Sequence, residues 1–159
     1  MKNKTYQPTD FSDSYGKVGN SEAIVQYMDE LQNSGVHAAA PDIATYNTVI
    51  GEYSIVINKV NKYAPIKSEK MLRNIIHFRN NRNPLIAPDH RSYNNLIIAW
   101  LKTKQPNSAE WSYRWLHRMW EEYIETRNDI IRPNSHTYNR VMVDFVQLGH
   151  TIKFEHLRL

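Results

Sequence analysis

The chain has 159 residues, of which 41% are apolar and 23% are charged, and its formal net charge is +4. This composition is that of a folded globular chain and excludes a disordered one. The absence of cysteine excludes a disulfide framework, a thiolate nucleophile and any cysteine-based zinc or iron–sulfur site. No apolar run approaches the ~20 residues of a membrane-spanning helix, so no membrane partner is expected. No targeting segment is recognisable at the start of the sequence.

One heptapeptide occurs three times, with the pattern P-[DN]-x-x-[ST]-Y-N. The copies begin at Pro41, Pro88 and Pro133, at intervals of 47 and 45 residues. Each Tyr is followed at +3, +4 and +7 by apolar side chains, which is the spacing of one helix face. These side chains are Val49, Ile50 and Tyr53, then Leu96, Ile97 and Trp100, then Val141, Met142 and Phe145. The pattern predicts a helix, here called helix A, that starts at each heptapeptide, with Ser or Thr in its first turn.

A second pattern recurs between the heptapeptides. A Glu that follows Ser or Ala (Glu22, Glu69 and Glu110) is followed at +6 and +9 by two apolar residues. These pairs are Met28 and Leu31, Ile75 and Phe78, and Leu116 and Met119. The spacing predicts a second helix, helix B, so that the unit is a helix–turn–helix repeated along the chain.

The predicted organisation is therefore a flexible lead-in over 1–20 and a repeat array over 21–159. The array consists of a partial unit over 21–40, complete units over 41–87 and 88–132, and a truncated unit over 133–159. Arrays of this kind need about three or more units to be stable. We therefore expect the chain to be a piece of a longer array.

The combination of the heptapeptide, an apolar helix, [SA]-E and a closing L-x-x-M (Leu116 to Met119) resembles the pentatricopeptide repeat. The resemblance covers about 21–159, although these units are longer than the usual repeat, with the excess in the turns. It implies an all-α fold, a right-handed α-solenoid of helix–turn–helix repeats similar to the tetratricopeptide superhelix. It also implies that the A helices line a concave groove that holds single-stranded RNA, one base per repeat.

The resemblance further implies which residues read the bases. In the family the reading pair is the Asn directly after the Tyr and the residue just before the next repeat begins. Carried over, the first complete unit pairs Asn47 with Asp89 and the second pairs Asn94 with Asn134, while Asn139 reads for the third. By the family's code, Asn with Asp is similar to a uracil reader and Asn with Asn to a cytosine reader. The implied partner is single-stranded RNA with pyrimidines at the two complete units.

Three residues stand three positions before these Asn residues, on the same helix face: Ala44, Arg91 and His136. The family usually carries an aliphatic residue here that sandwiches the base. Arg and His can also stack on a base through their planar groups. These residues are the candidates for base stacking or backbone contact.

No catalytic site, metal site or cofactor is expected. The sequence has no glycine-rich phosphate loop and no hydrolase or metalloprotease motif, and its seven His include no i, i+4 pair. The aromatic residues at 111, 113, 115, 120 and 123 and the heptapeptide Tyr residues are expected to pack in the interior.

Two functional classes therefore remain. The first, implied by the resemblance, is an adaptor for the processing, stability or translation of RNA in mitochondria or plastids. The alternative is a helical scaffold that binds other proteins and has lost RNA readout. A tetratricopeptide-like peptide receptor is a third reading, which the helix patterns disfavour.

Overall fold

The computed structural model describes residues 16–36, 40–55, 63–81 and 86–147. These segments contain helices and no strand, which confirms the all-α part of the predicted fold class. The helices are α1 (Gly16–Asn33), α2 (Ile43–Ile55), α3 (Ala64–Asn81), α4 (His90–Thr103), α5 (Ser108–Thr126) and α6 (Ser135–Gln147), with a 3₁₀ turn at Asp129–Ile131. Among the described residues, no helix is both long and apolar enough to cross a membrane.

Helix ends follow from local sequence. Asp89 is the N-cap of α4 and forms a capping box with Ser92, so that two otherwise unpaired N–H groups are satisfied. α4 and α5 both end on a residue in the left-handed conformation, Lys104 (φ 50°) and Arg127 (φ 54°). Their backbone N–H groups close the last turn onto Leu101 and Tyr123.

Helices that follow one another in the chain also pack on one another. α2 packs on α3, and α4 packs on α5. The helices that follow the heptapeptides also contact one another directly, α2 with α4 and α4 with α6. This contact brings residues from successive heptapeptides together, although they are more than 40 residues apart in the sequence.

The predicted apolar faces form the core. In α2 and α4 the heptapeptide Tyr (Tyr46 and Tyr93) and the apolar residues at +3, +4 and +7 from it are all buried. In α6 the prediction is only partly right, since Val141 and Phe145 are buried but Met142 is 40% exposed. Among the described residues the main neighbours of α6 are α4 and α5.

Two expectations at the ends of the chain have different outcomes. α1 begins at Gly16, so residues 16–20 are helical and do not belong to a flexible lead-in. The part of the truncated unit over 148–159 lies outside the described residues.

Candidate nucleic-acid interface

The second residue of each heptapeptide caps the helix that follows. Asp42 accepts hydrogen bonds from the backbone and hydroxyl of Thr45 at 2.8 and 2.7 Å. Asp89 Oδ1 accepts from the backbone N–H groups of Arg91 and Ser92, both at 2.9 Å. Asn134 Oδ1 accepts from the backbone of Thr137 at 3.0 Å. The predicted base-reading residues Asp89 and Asn134 therefore also have a structural role as helix caps.

Asn47 and Asp89, paired from the sequence, are in direct contact. Asn47 Nδ2 donates to Asp89 Oδ1 at 3.0 Å, and Asn47 Oδ1 accepts from the Ser92 hydroxyl at 2.6 Å. Asn47 is only 8% exposed, so it belongs to the buried residues of α2. The start of α4 covers it, so a ligand can reach only the edge of this amide.

The second pair has a similar arrangement, with a hydroxyl between its members. Thr137 Oγ1 lies 2.8 Å from Asn94 Oδ1 and 3.1 Å from Asn134 Oδ1. Thr137 is buried, whereas Asn94 is half-buried and Asn134 is exposed. The structure therefore brings Asn94 and Asn134 to the same hydroxyl. Asn139 is exposed.

The three stacking candidates are all exposed: Ala44, Arg91 and His136. His136 Nε2 accepts a hydrogen bond from Arg140 Nε at 2.8 Å, which orients the imidazole along the helix surface. Each candidate lies one turn before its Asn, so exposed side chains flank the amides on the same helix.

Sequence reasoning missed the polar stripe by which α4 attaches to α2. Besides Ser92, the amide of Asn95 donates to the Asn47 carbonyl at 3.2 Å, and Lys102 Nζ donates to the Ser54 carbonyl at 2.8 Å. Asn95 and Lys102 lie three and ten residues after Ser92, a spacing that places all three on one face of α4. Their helical spacing was a visible signal, but nothing in the sequence identified the carbonyl partners.

A buried charged network was also missed. Glu122 on α5, 2% exposed, accepts short hydrogen bonds from the hydroxyl of Tyr93 on α4 and from Arg79 on α3. The network joins α3, α4 and α5 through Tyr93, the residue that precedes Asn94. Burial, together with the negative charge of Glu122, raises the pKa of Tyr93, so its hydroxyl remains a proton donor.

A related contact links α1 to the next two helices. Glu22 accepts hydrogen bonds from Tyr53 at 2.5 Å and from Lys67 at 3.2 Å. Partial burial acts to raise the pKa of Glu22, but these hydrogen bonds and the charges of Lys67 and Lys70 outweigh it and lower the pKa. The carboxylate of Glu22 is therefore charged at neutral pH.

The chain is 28% identical over 142 residues to a pentatricopeptide repeat-containing protein of Arabidopsis thaliana. The alignment covers 89% of this chain and 21% of that protein. The likeness supports a relation to pentatricopeptide repeat proteins. The chain matches no family model and no solved structure.

Two clefts between α3 and α5, of about 970 and 570 Å³, contain none of the predicted base-reading residues. Their walls include part of the aromatic run. Trp111 stacks on Trp100 with ring centroids 5.3 Å apart, and Trp115 is buried and donates to Glu69 at 3.2 Å. These two tryptophans pack within the protein, as expected. Within the described segments, no group of three or more acidic or His residues is arranged to hold a metal ion.

Proposed function

We propose that this chain is a helical-repeat module that binds single-stranded RNA through the row of Asn residues on α2, α4 and α6. The observation that carries the proposal is the contact of Asn47 with Asp89, repeated by Asn94 and Asn134 around Thr137. A right-handed solenoid, in which further repeats extend the same row of amides, would give such a module a longer footprint. The module binds and positions RNA and carries out no chemistry itself.

The free hydrogen-bonding groups of the first pair favour uracil. Within the described part of the chain, the hydrogen bonds to Asp89 fall on Oδ1, which leaves Oδ2 as an acceptor. The second Nδ2 proton of Asn47 remains as a donor. An adjacent donor and acceptor match the O4 and N3–H of uracil. Guanine offers the same pattern with O6 and N1–H on a larger base, so it is the competitor that a binding test must include.

The second pair favours cytosine for the same physical reason. Asn94 Oδ1 and Asn134 Oδ1 both face the Thr137 hydroxyl, so the groups that remain free are the two Nδ2 donors. Cytosine offers two neighbouring acceptors, N3 and O2, to such a pair. The favoured RNA core is therefore a pyrimidine dinucleotide with one uracil and one cytosine. An RNA-binding module of this kind would serve organellar transcripts, in mitochondria or plastids, by family analogy.

A binding titration with defined RNA tests the proposal. Fluorescein-labelled adenine decamers that carry each of the sixteen dinucleotides at their centre would be titrated with the full chain and followed by anisotropy. We expect the two decamers that combine U and C to bind tightest. Equal affinity for all sixteen, or no binding at 50 mM salt, would contradict the proposal.

The substitution Asn94→Ala distinguishes an effect on base recognition from an effect on the stability of the fold. Asn94 is half-buried and its described hydrogen bond is to a hydroxyl, whereas Ala at position 47 would leave groups in a buried site unpaired. We expect Asn94→Ala to reduce the preference for cytosine by about three- to tenfold, the value of one hydrogen bond, with little change in Tm.

The matched control for that variant is Asn74→Ala, which removes an exposed amide from α3. It should leave both the base preference and the affinity unchanged. A loss of preference in Asn74→Ala equal to that in Asn94→Ala would place the reading surface elsewhere.

One observation favours the alternative, a protein-binding scaffold. Asn47 is covered and both ends of its amide bind within the protein, as in a purely structural contact. On that reading the Asn row holds α2 and α4 together and has no ligand. The RNA titration distinguishes the two functions, because a scaffold would not discriminate between the decamers.

A further inference from the structure

The side-chain hydroxyl at the fifth heptapeptide position lies against the Asn of the preceding heptapeptide in both places where such an Asn exists. Ser92 Oγ is 2.6 Å from Asn47 Oδ1, and Thr137 Oγ1 is 2.8 Å from Asn94 Oδ1. Both hydroxyl residues are buried, with exposures of 0% and 1%. The contact therefore recurs at equivalent positions of two helix interfaces.

A hydroxyl has one proton and can donate it once. For both hydroxyls the shorter contact is the one to the preceding Asn, at 2.6 and 2.8 Å, while the contact to the helix cap is 3.1 Å. Donation along the shorter contact binds the amide oxygen. The Nδ2 edge of the amide is then the edge left for a ligand.

The two sites differ in what else holds the amide. Asn47 Nδ2 also donates to the carboxylate of Asp89, and a flipped amide would place its oxygen 3.0 Å from that carboxylate oxygen. Two acceptors at that distance repel, so the Asp89 carboxylate is sufficient to keep the Asn47 amide in its orientation, even without the Ser92 hydroxyl. At Asn94 the equivalent helix cap is Asn134, an amide and not a carboxylate. The orientation of Asn94 depends on the Thr137 hydroxyl.

We infer that Thr137 is a specificity-determining positioning residue, which orients the Asn94 amide so that it offers a donor and not an acceptor to the base. The inference rests on the proposed function. Without the hydroxyl, Asn94 can rotate and present Oδ1, which accepts from the N3–H of uracil as readily as Nδ2 donates to cytosine. Thr137 would touch no base itself and act through Asn94.

The test is Thr137→Val, which replaces the hydroxyl by a methyl group of similar size and keeps the backbone bond to Asn134. In the anisotropy titration above, we expect the preference for C over U at the affected nucleotide to fall by about three- to tenfold, the effect of one hydrogen bond. Thr137→Ser, which restores the hydroxyl, should recover the preference. If the ratio of C affinity to U affinity in Thr137→Val stays within about twofold of that in the unmodified chain, the inference is overturned.

The matched control is Thr45→Val. Thr45 occupies the same heptapeptide position, and its hydroxyl donates to the helix cap Asp42 at 2.7 Å. Within the described residues, the backbone N–H and the hydroxyl of Thr45 donate to Asp42 of its own heptapeptide and to no Asn of another helix. Thr45→Val should keep the C-over-U ratio, and an equal loss of ratio in Thr45→Val would attribute the effect to capping and overturn the inference.

A measurement without RNA separates this inference from the proposed function. The order parameter of the Asn94 side-chain amide, from ¹⁵N relaxation of the free protein, should be about 0.8 in the unmodified chain and below about 0.6 in Thr137→Val. If the unmodified chain fails to select any RNA while this order parameter falls, the proposed function fails and the positioning role stands. If the order parameter is unchanged, the positioning role is overturned.

Discussion

Glu122 shows how a single buried charge can join several helices. The carboxylate is 2% exposed and binds both the Tyr93 hydroxyl and the Arg79 guanidinium. A buried ion pair gains little over well-packed apolar groups, but removal of one partner leaves the other charged and without compensation. The cost of removing Glu122 alone is therefore larger than the net gain that the pair contributes.

We predict that Glu122→Ala lowers the free energy of unfolding by about 3–5 kcal/mol, because Arg79 loses its buried partner. Chemical denaturation monitored by circular dichroism measures this. The neighbouring Glu121, 44% exposed, is the control, and Glu121→Ala should change stability by less than about 1 kcal/mol. Equal effects of the two substitutions would contradict a structural role for the buried carboxylate.

At the scale of elements, the sequence provides favourable capping residues at helix starts and less favourable residues at helix ends. Each heptapeptide provides an Asp or Asn whose side chain caps the next helix. In contrast, α4 and α5 end on Lys104 and Arg127 in the left-handed region, where a side chain other than glycine costs about 1–2 kcal/mol. The C-terminal ends of these helices therefore store avoidable strain.

We predict that Arg127→Gly stabilises the protein by about 1 kcal/mol, since glycine adopts the observed φ of 54° without a steric penalty. The bond from its N–H to the Tyr123 carbonyl, 2.8 Å, is kept. Thermal unfolding would show a higher Tm. Arg127→Ala, which keeps a Cβ, should give no such gain, and a gain of the same size would indicate that removal of the charge is responsible.

At the scale of the whole molecule, the proposed RNA-binding helices α4 and α6 carry exposed basic side chains. Arg91, Lys102 and Arg140 are exposed on α4 and α6. Contacts of such residues with phosphates release counterions, so RNA affinity should depend on salt. The net charge of +4 favours encounter with a polyanion but carries no base selectivity.

We predict that RNA affinity falls by about 20-fold between 50 and 200 mM salt if about three phosphates are contacted. Arg91→Ala should reduce the slope of log affinity against log salt by about 0.7, the share of one phosphate on a single strand. Arg114, which pairs with Glu110 on α5, is the control. Arg114→Ala should not alter the slope; a change equal to that of Arg91→Ala would place the phosphate path on the other helices.

Much of the helix pattern was predictable from local sequence. The apolar spacing after each Tyr fixes which face of α2 and α4 is buried, because a helix repeats its face every three to four residues. The Pro-Asp and Pro-Asn pairs mark helix starts, since proline ends the preceding segment and a short polar side chain caps the next. The pairing of Asn47 with Asp89 followed from the resemblance to the pentatricopeptide repeat and not from any local rule.

Only the tertiary structure decided what those residues touch. Asn47 is not one of the apolar positions that follow Tyr46, yet the first turn of α4 covers it, because a neighbouring helix adds burial that one helix's periodicity does not contain. Glu122 is 29 residues from Tyr93 and 43 residues from Arg79 in the sequence, and nothing in the sequence indicated that its carboxylate would be buried. The order of helices lay in the sequence, while the orientation of each amide depended on groups contributed by the next helix.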